Sequence, residues 1–324
     1  MAVVTRRALD PHVPSAAKHP AIDPVCRMTI DSETTRYATN YAGQDFFFCS
    51  TGCQTRFQSS PERYARLLLE LESASKANLR LEIHHPRKLV VGVPATIEFS
   101  VFDRSAMRRI SEFEVVHERR MHVLLVRSDL KRFYHVHPIP LPDGFFRLSH
   151  TFADAGKYRA FFDFTPATGM NQVMSSDFAV SGGRIKTRAS PSEPLLDVDV
   201  KVMPNPVRSG QDSYLVFRYR DWAGKPVTKL TPFLGSNGHL IVISKDLGSF
   251  IHTHGMTAPP PRGHTVFDLP ADMITTSGPT ICYRVVFPKP GSYEVWSQVG
   301  WCGKVISTPC SVQVIPRDTY APAK

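Results

Sequence analysis

No apolar run in this 324-residue chain approaches the roughly 18 residues needed by a membrane-crossing helix, which argues against a helical span. The opening stretch MAVVTRRALDPHVPSAAKHP has the Arg6-Arg7 pair but no apolar segment behind it, because Asp10, Pro11 and Pro14 interrupt. Neither a secretory nor a twin-arginine leader is indicated, and a cytoplasmic protein is expected. Long amphipathic helical patterns are scarce, while Val, Gly, Pro and Phe are frequent, a balance that favours β-rich domains. Neither a nucleophile motif nor a phosphate-cradling loop is visible. The formal charge of +10 permits anionic partners. Yet the arginines are scattered (Arg104, Arg108, Arg109, Arg119, Arg120, Arg127, Arg132) with no basic tract interleaved with aromatics. A solvated basic surface is the expectation, with no specific nucleic-acid partner.

What is present falls into segments. Residues 1–20 read as a disordered lead and 21–59 as a compact Cys-bearing module. A connecting helix over 60–79 follows, with Ser60 as N-cap, Pro61 at its first position, and Tyr64, Leu67, Leu68 and Leu71 on an apolar face. Short strands and turns then fill 80–180 and, after a Gly/Ser/Pro-rich linker at 181–194, 195–316, with a tail at 317–324. The fold class is mainly β: a small α+β module followed by two tandem Ig/cupredoxin-like β-sandwiches.

The two strand series repeat each other. A shift of 117 residues superposes His122 on His239, His135 on His252 and His137 on His254, and Gly156-Lys157-Tyr158 matches Gly291-Ser292-Tyr293 further on. In VRSDLKRF a four-residue loop pairs Arg127 with Arg132. Counting outward sets His122 opposite His137, with His135 diagonal on the same face, and the identical count sets His239 opposite His254 beside His252. An isolated His-x-His reads as a structural pair. A three-histidine pattern repeated at fixed spacing reads instead as imidazoles converging on a metal ion. Further candidate ligands are His117 and Met121 upstream in the first repeat, and Met256 and His264 downstream in the second. Thioether beside imidazole suits Cu(I), whereas imidazole alone suits Zn(II) or Cu(II). Met170 and Met174 read as core filling. Cys282, Cys302 and Cys310, with no counterparts in the first repeat, read as buried small hydrophobes or a redox-sensitive pair.

The other three cysteines cluster early, Cys49 following Cys26 by 23 residues and Cys53 four later. DFFFC reads as a strand and STGCQTRF as a helix, so Cys49 and Cys53 lie one turn apart, and a preceding turn carries Cys26. In a reducing compartment these read as thiolate ligands for one soft ion.

The pieces DPVC.M, YAG....FCS..C...F and P..Y make residues 22–64 resemble a YHS domain, a module related to the TRASH-type metal-binding domains. The resemblance implies a zinc-ribbon-like site with Cys26, Cys49 and Cys53 as ligands. This chain has Arg27 where glycine is usual, and Asn40 near the family's named histidine. The β-repeats resemble, more loosely, bacterial His-rich sandwich domains that accompany heavy-metal modules. Three functions fit. One is a copper- or zinc-binding protein for sequestration, delivery or sensing, with metal ions and a metal transporter or chaperone as partners. The others are a metalloenzyme with an open three-histidine site and an Ig-like scaffold with vestigial sites.

Overall fold

The computed structural model describes residues 20–32, 35, 37–72, 78–184, 196–255 and 278–317. The sequence-based lead at 1–20 and tail at 317–324 fall almost wholly outside these, as does most of the linker at 181–194. The chain is mainly β, and no helix among the described residues is long and apolar enough to cross a membrane.

The N-terminal segment pairs β1 (Pro20–Ile22) with β2 (Thr29–Asp31), and β3 (Tyr37–Tyr41) with β4 (Gln44–Phe48). Helix α1 (Thr51–Ser59) starts at Ser50, whose hydroxyl accepts the Cys53 N–H at 3.3 Å, an N-cap bond. Helix α2 (Pro61–Glu72) has proline at its first position, where the missing N–H has no intrahelical partner to lose. The residue before it, Ser60, donates its hydroxyl to the Ser59 carbonyl instead of capping the helix.

Two compact units emerge. The first gathers residues 24–28 with the described part of 56–191; the second takes the described parts of 13–23, 29–55 and 192–324. In the first, the strands are β5 (Leu79–His84), β6 (Leu89–Val90), β7 (Ala95–Asp103), β8 (Arg108–Arg109), β9 (Met121–Arg127), β10 (Phe133–Val136), β11 (Ile139–Pro140), β12 (Phe145–His150), β13 (Asp154–Phe164) and β14 (Gln172–Arg184). One sheet runs β10-β9-β13-β14-β6 and the other β11-β12-β7-β5, with β8 on the edge of β7. The period of two along a strand explains the sandwich: Ile97, Phe99 and Val101 of β7 meet Val123 and Leu125 of β9 in one apolar core. Phe99 is fully buried and packs edge-on to Phe162 at 4.9 Å, a burial that contributes about 1.5–3 kcal/mol. Strand β14 runs on into the stretch read as linker, because Val180 and Ser181 pair in parallel with Leu89 and Val90.

In the second unit the strands are β15 (Asp197–Met203), β16 (Val207–Arg208), β17 (Asp212–Arg220), β18 (His239–Ser244), β19 (Phe250–His254), β20 (Thr280–Val286), β21 (Gly291–Trp301) and β22 (Lys304–Ile315). Sheets β15-β17-β20 and β16-β22-β21-β18-β19 enclose a core that includes Leu215, Phe217, Leu240, Val242 and Tyr283. The duplication reaches fine detail: the Tyr158 hydroxyl donates to the Asp154 carbonyl at 2.9 Å, and that of Tyr293 to the Lys289 carbonyl at 2.8 Å, four residues upstream in both.

Candidate metal centres

Strand β9 alternates between the two faces of its sheet. Met121, Val123 and Leu125 enter the sandwich core, so His122, Leu124 and Val126 face the other way. Met121 therefore belongs to the apolar core, at 1% exposure, on the face of β9 opposite His122. The β9–β10 hairpin pairs His135 with Leu124 and Val136 with Val123, and Arg127 N–H bonds the Arg132 carbonyl at 3.0 Å. His122, His135 and His137 come together at the open end: His122 Nδ1 lies 3.1 Å from His135 Nε2 and 3.2 Å from His137 Nε2.

The other nitrogen of His122 decides what these contacts mean. Its Nε2 sits 3.1 Å from the Val116 carbonyl, which only accepts, so Nε2 carries the hydrogen and Nδ1 presents a lone pair. One lone pair accepts one good hydrogen bond, yet two imidazole nitrogens crowd it. A cation among them would use all three lone pairs at once. Two nitrogens bound to one zinc ion at about 2.0–2.1 Å stand roughly 3.3 Å apart, close to these separations.

The second repeat builds the same arrangement. The β18–β19 ladder pairs His239 with His254 and Ile241 with His252. His239 Nδ1 lies 2.9 Å from His252 Nε2, the His254 ring centroid is 4.7 Å from that of His239, and His239 Nε2–H donates to the Phe233 carbonyl at 2.9 Å. All three are buried. Locking the outer nitrogen of an imidazole onto a backbone carbonyl is the usual support for a metal-binding histidine.

The two carbonyls are held by equivalent turns. Val116 and Arg119 exchange backbone bonds of 2.8 and 3.0 Å around His117 (φ 47°) and Glu118 (φ 63°). Phe233 and Ser236 exchange bonds of 2.9 and 3.1 Å around Leu234 (φ 50°) and Gly235 (φ 72°). Left-handed backbone at both central positions favours Asn-Gly, so His-Glu and Leu-Gly give no turn signal in sequence. His117 is buried, its ring 6.3 Å from that of His122. Met256 and His264 lie outside the described residues.

In the N-terminal module, Cys49 and Cys53 bring their sulfurs to 3.6 Å, near the roughly 3.8 Å expected for two thiolates on one tetrahedral zinc. Asp23, fully buried, joins them: its carboxylate accepts the Cys49 N–H at 2.8 Å and lies within 4.8 Å of both sulfurs. Sequence reasoning passed over Asp23, although it opens the DPVC motif. Cys26 is also buried, its carbonyl accepting the Thr165 hydroxyl at 2.9 Å. Beside it, Arg27 has φ 59°, a left-handed backbone that explains why glycine suits this position. Its buried guanidinium donates to the Pro166, Ala167 and Gly169 carbonyls and to Glu114 at 2.9 Å, with Arg63 on the same carboxylate at 3.0 Å. Burial pulls the Arg27 pKa down, and Glu114 opposes that shift.

None of the six cysteines is in a disulfide. Burial pushes the Cys282 thiol up to about 12, and burial followed by the charge of Glu294 does the same for Cys310. Both behave as small hydrophobes, and Cys302 is exposed in the β21–β22 turn. Met174 fills the first core.

The family described as Domain of unknown function (DUF8832) matches twice, over residues 74–182 and 195–315. The chain belongs to this family. Residues 21–67 are a YHS domain. A stretch of 42 residues is 46% identical to a copper-transporting P-type ATPase of Rhizobium leguminosarum bv. viciae, covering 13% of this chain and 5% of that protein's length. An alpha-2-macroglobulin mutant from Salmonella is similar at 10% identity and TM-score 0.22, covering 76% of this chain and 15% of its own. A β-glycosidase from Bacteroides vulgatus is similar at 9% identity and TM-score 0.20, covering 72% and 24%.

Proposed function

We propose that this protein binds heavy-metal ions, copper or zinc, for sequestration, delivery or sensing. An imidazole site in each sandwich and a thiolate site in the YHS domain do the binding. The observation that carries the reading is the pair of histidine sets, each converging three ring nitrogens while a backbone carbonyl holds the hydrogen of the central ring on its outer nitrogen. For the thiolate site the support is the proximity of Cys49 to Cys53 and the YHS motif, which adds Cys26 as the third sulfur. Copper is favoured because the similar segment belongs to a copper-transporting ATPase, and a copper transporter is the partner this reading points to. A thiolate site suits a reducing compartment, hence a cytoplasmic setting.

The test is elemental analysis of untagged full-length protein. His122→Ala/His137→Ala, His239→Ala/His254→Ala and Cys49→Ser/Cys53→Ser are each expected to lose about one equivalent of metal against wild type. Unchanged metal content in all three variants would sink the assignment.

A further inference from the structure

The two histidine sets face different neighbours on the next strand. In the first repeat the β9–β13 ladder puts Asp163 directly across from His122. In the second the β18–β21 ladder puts Gln298 directly across from His239. Directly opposed residues share a face, with Cβ atoms about 4.5–5.5 Å apart. Both side chains are buried, Asp163 at 5% and Gln298 at 4% exposure. Each is held in place: Asn171 Nδ2–H donates to Asp163 Oδ1 at 2.8 Å, and Gln298 Nε2–H donates to the Ser307 hydroxyl oxygen at 2.9 Å. Asp163 is not among the donors of the first three-histidine group that lie within 4.8 Å of one another, so its carboxylate would act on an ion there through its charge.

Neutral imidazoles add no charge. A divalent ion held by His239, His252 and His254 therefore leaves two positive charges in a buried place. The same ion held by His122, His135 and His137 leaves one, because the Asp163 carboxylate offsets the other. Burying net charge is costly, so the carboxylate raises affinity for a divalent ion far more than for a monovalent one. Resting on the metal-binding reading above, we propose that the duplicated sites differ in cation charge. The first repeat, with Asp163, is the divalent site, and the second, with Gln298, is the monovalent copper site.

The experiment uses the full chain with Cys49→Ser/Cys53→Ser, so that the thiolates do not compete. One version also has His239→Ala/His254→Ala, leaving the first site; another has His122→Ala/His137→Ala, leaving the second. Each is titrated with Zn2+ and, anaerobically, with Cu+ against chromophoric chelators. The first-site protein is expected to bind Zn2+ at least about tenfold more tightly than the second-site protein, with a clearly smaller advantage for Cu+. Asp163→Asn, which keeps the shape, is expected to weaken Zn2+ at the first site about 10- to 100-fold and Cu+ by roughly the square root of that factor, about 3- to 10-fold. Gln298→Glu is expected to strengthen Zn2+ at the second site, which tests the idea without touching the first repeat. If both substitutions alter the two ions equally, or leave both unaltered while binding persists, the charge assignment is wrong. If neither single-site protein binds either ion, the metal-binding reading itself falls, and this assignment with it.

Discussion

The two sandwiches carry the same histidine hairpin on differently built surroundings. In the first, Glu114 N–H bonds the Thr165 carbonyl at 2.9 Å and its carboxylate reaches Arg27 and Arg63. In the second, the equivalent position is Thr231, which exchanges backbone bonds of 2.8 and 3.1 Å with Gly300. The approach there is so close that a Cβ on Gly300 would stand 2.4 Å from the Thr231 hydroxyl oxygen. Duplication thus kept the donors and the carbonyls that orient them, and changed the charges around them.

Substitutions can break that comparison at the corresponding positions. All three tryptophans (Trp222, Trp296, Trp301) belong to the second sandwich, so fluorescence follows it alone while far-UV circular dichroism follows both. The largest effect is expected from Glu114→Ala, which leaves buried Arg27 without its carboxylate and costs the first sandwich about 3–5 kcal/mol in urea unfolding. Thr231→Ala should move the fluorescence transition by less than about 1 kcal/mol. Equal losses from the two changes would show that the surroundings are equivalent after all.

The turns should respond with opposite signs. Glu118→Gly relieves a left-handed non-glycine residue and is expected to stabilise the first sandwich by about 1 kcal/mol. Gly235→Ala introduces that strain and should destabilise the second by a similar amount. Two losses of like size would mean that the Glu118 side chain contributes more than its backbone costs.

The smallest effect is a pH slope. His150, in ring contact with Tyr134 at 4.5 Å and Phe152 at 4.6 Å, has its pKa pulled below 6.5 by burial. The folded form stays neutral while the unfolded chain takes up a proton as pH falls through 6.5, so stability is full above that pH and declines beneath it. His150→Phe should flatten that decline relative to wild type in circular-dichroism unfolding, and leave the fluorescence transition where it was. An unchanged slope would remove His150 as its source.

Much of this was legible in the sequence for a physical reason. The histidine register follows from one four-residue loop, since pairing Arg127 with Arg132 fixes every position outward from it. The Cys49–Cys53 proximity follows from a short strand running into a helix. The remainder needed long-range pairing. Asp163 meets His122 only once β13 has docked on β9, and insertions between the repeats shift that alignment from 117 to 135 residues at Gln298. Val116 and Phe233 act through carbonyls, which leave no side-chain signature, and their turns lack the residues that announce such a bend. Met121 and His122 lie on opposite faces because adjacency in sequence alternates neighbours across a strand.

The hairpin has a consequence in time. His122, His135 and His137 span 16 residues, and the Val116 carbonyl lies six residues further back, so that the groups proposed to hold an ion belong to one local stretch. Closing so short a loop costs little and precedes pairings between distant strands. Asp163 arrives only when the far strand does. On the proposed reading, a nascent chain would assemble its three imidazoles before the carboxylate proposed to tell ions apart, so the ions present at synthesis would bear on what the finished protein holds.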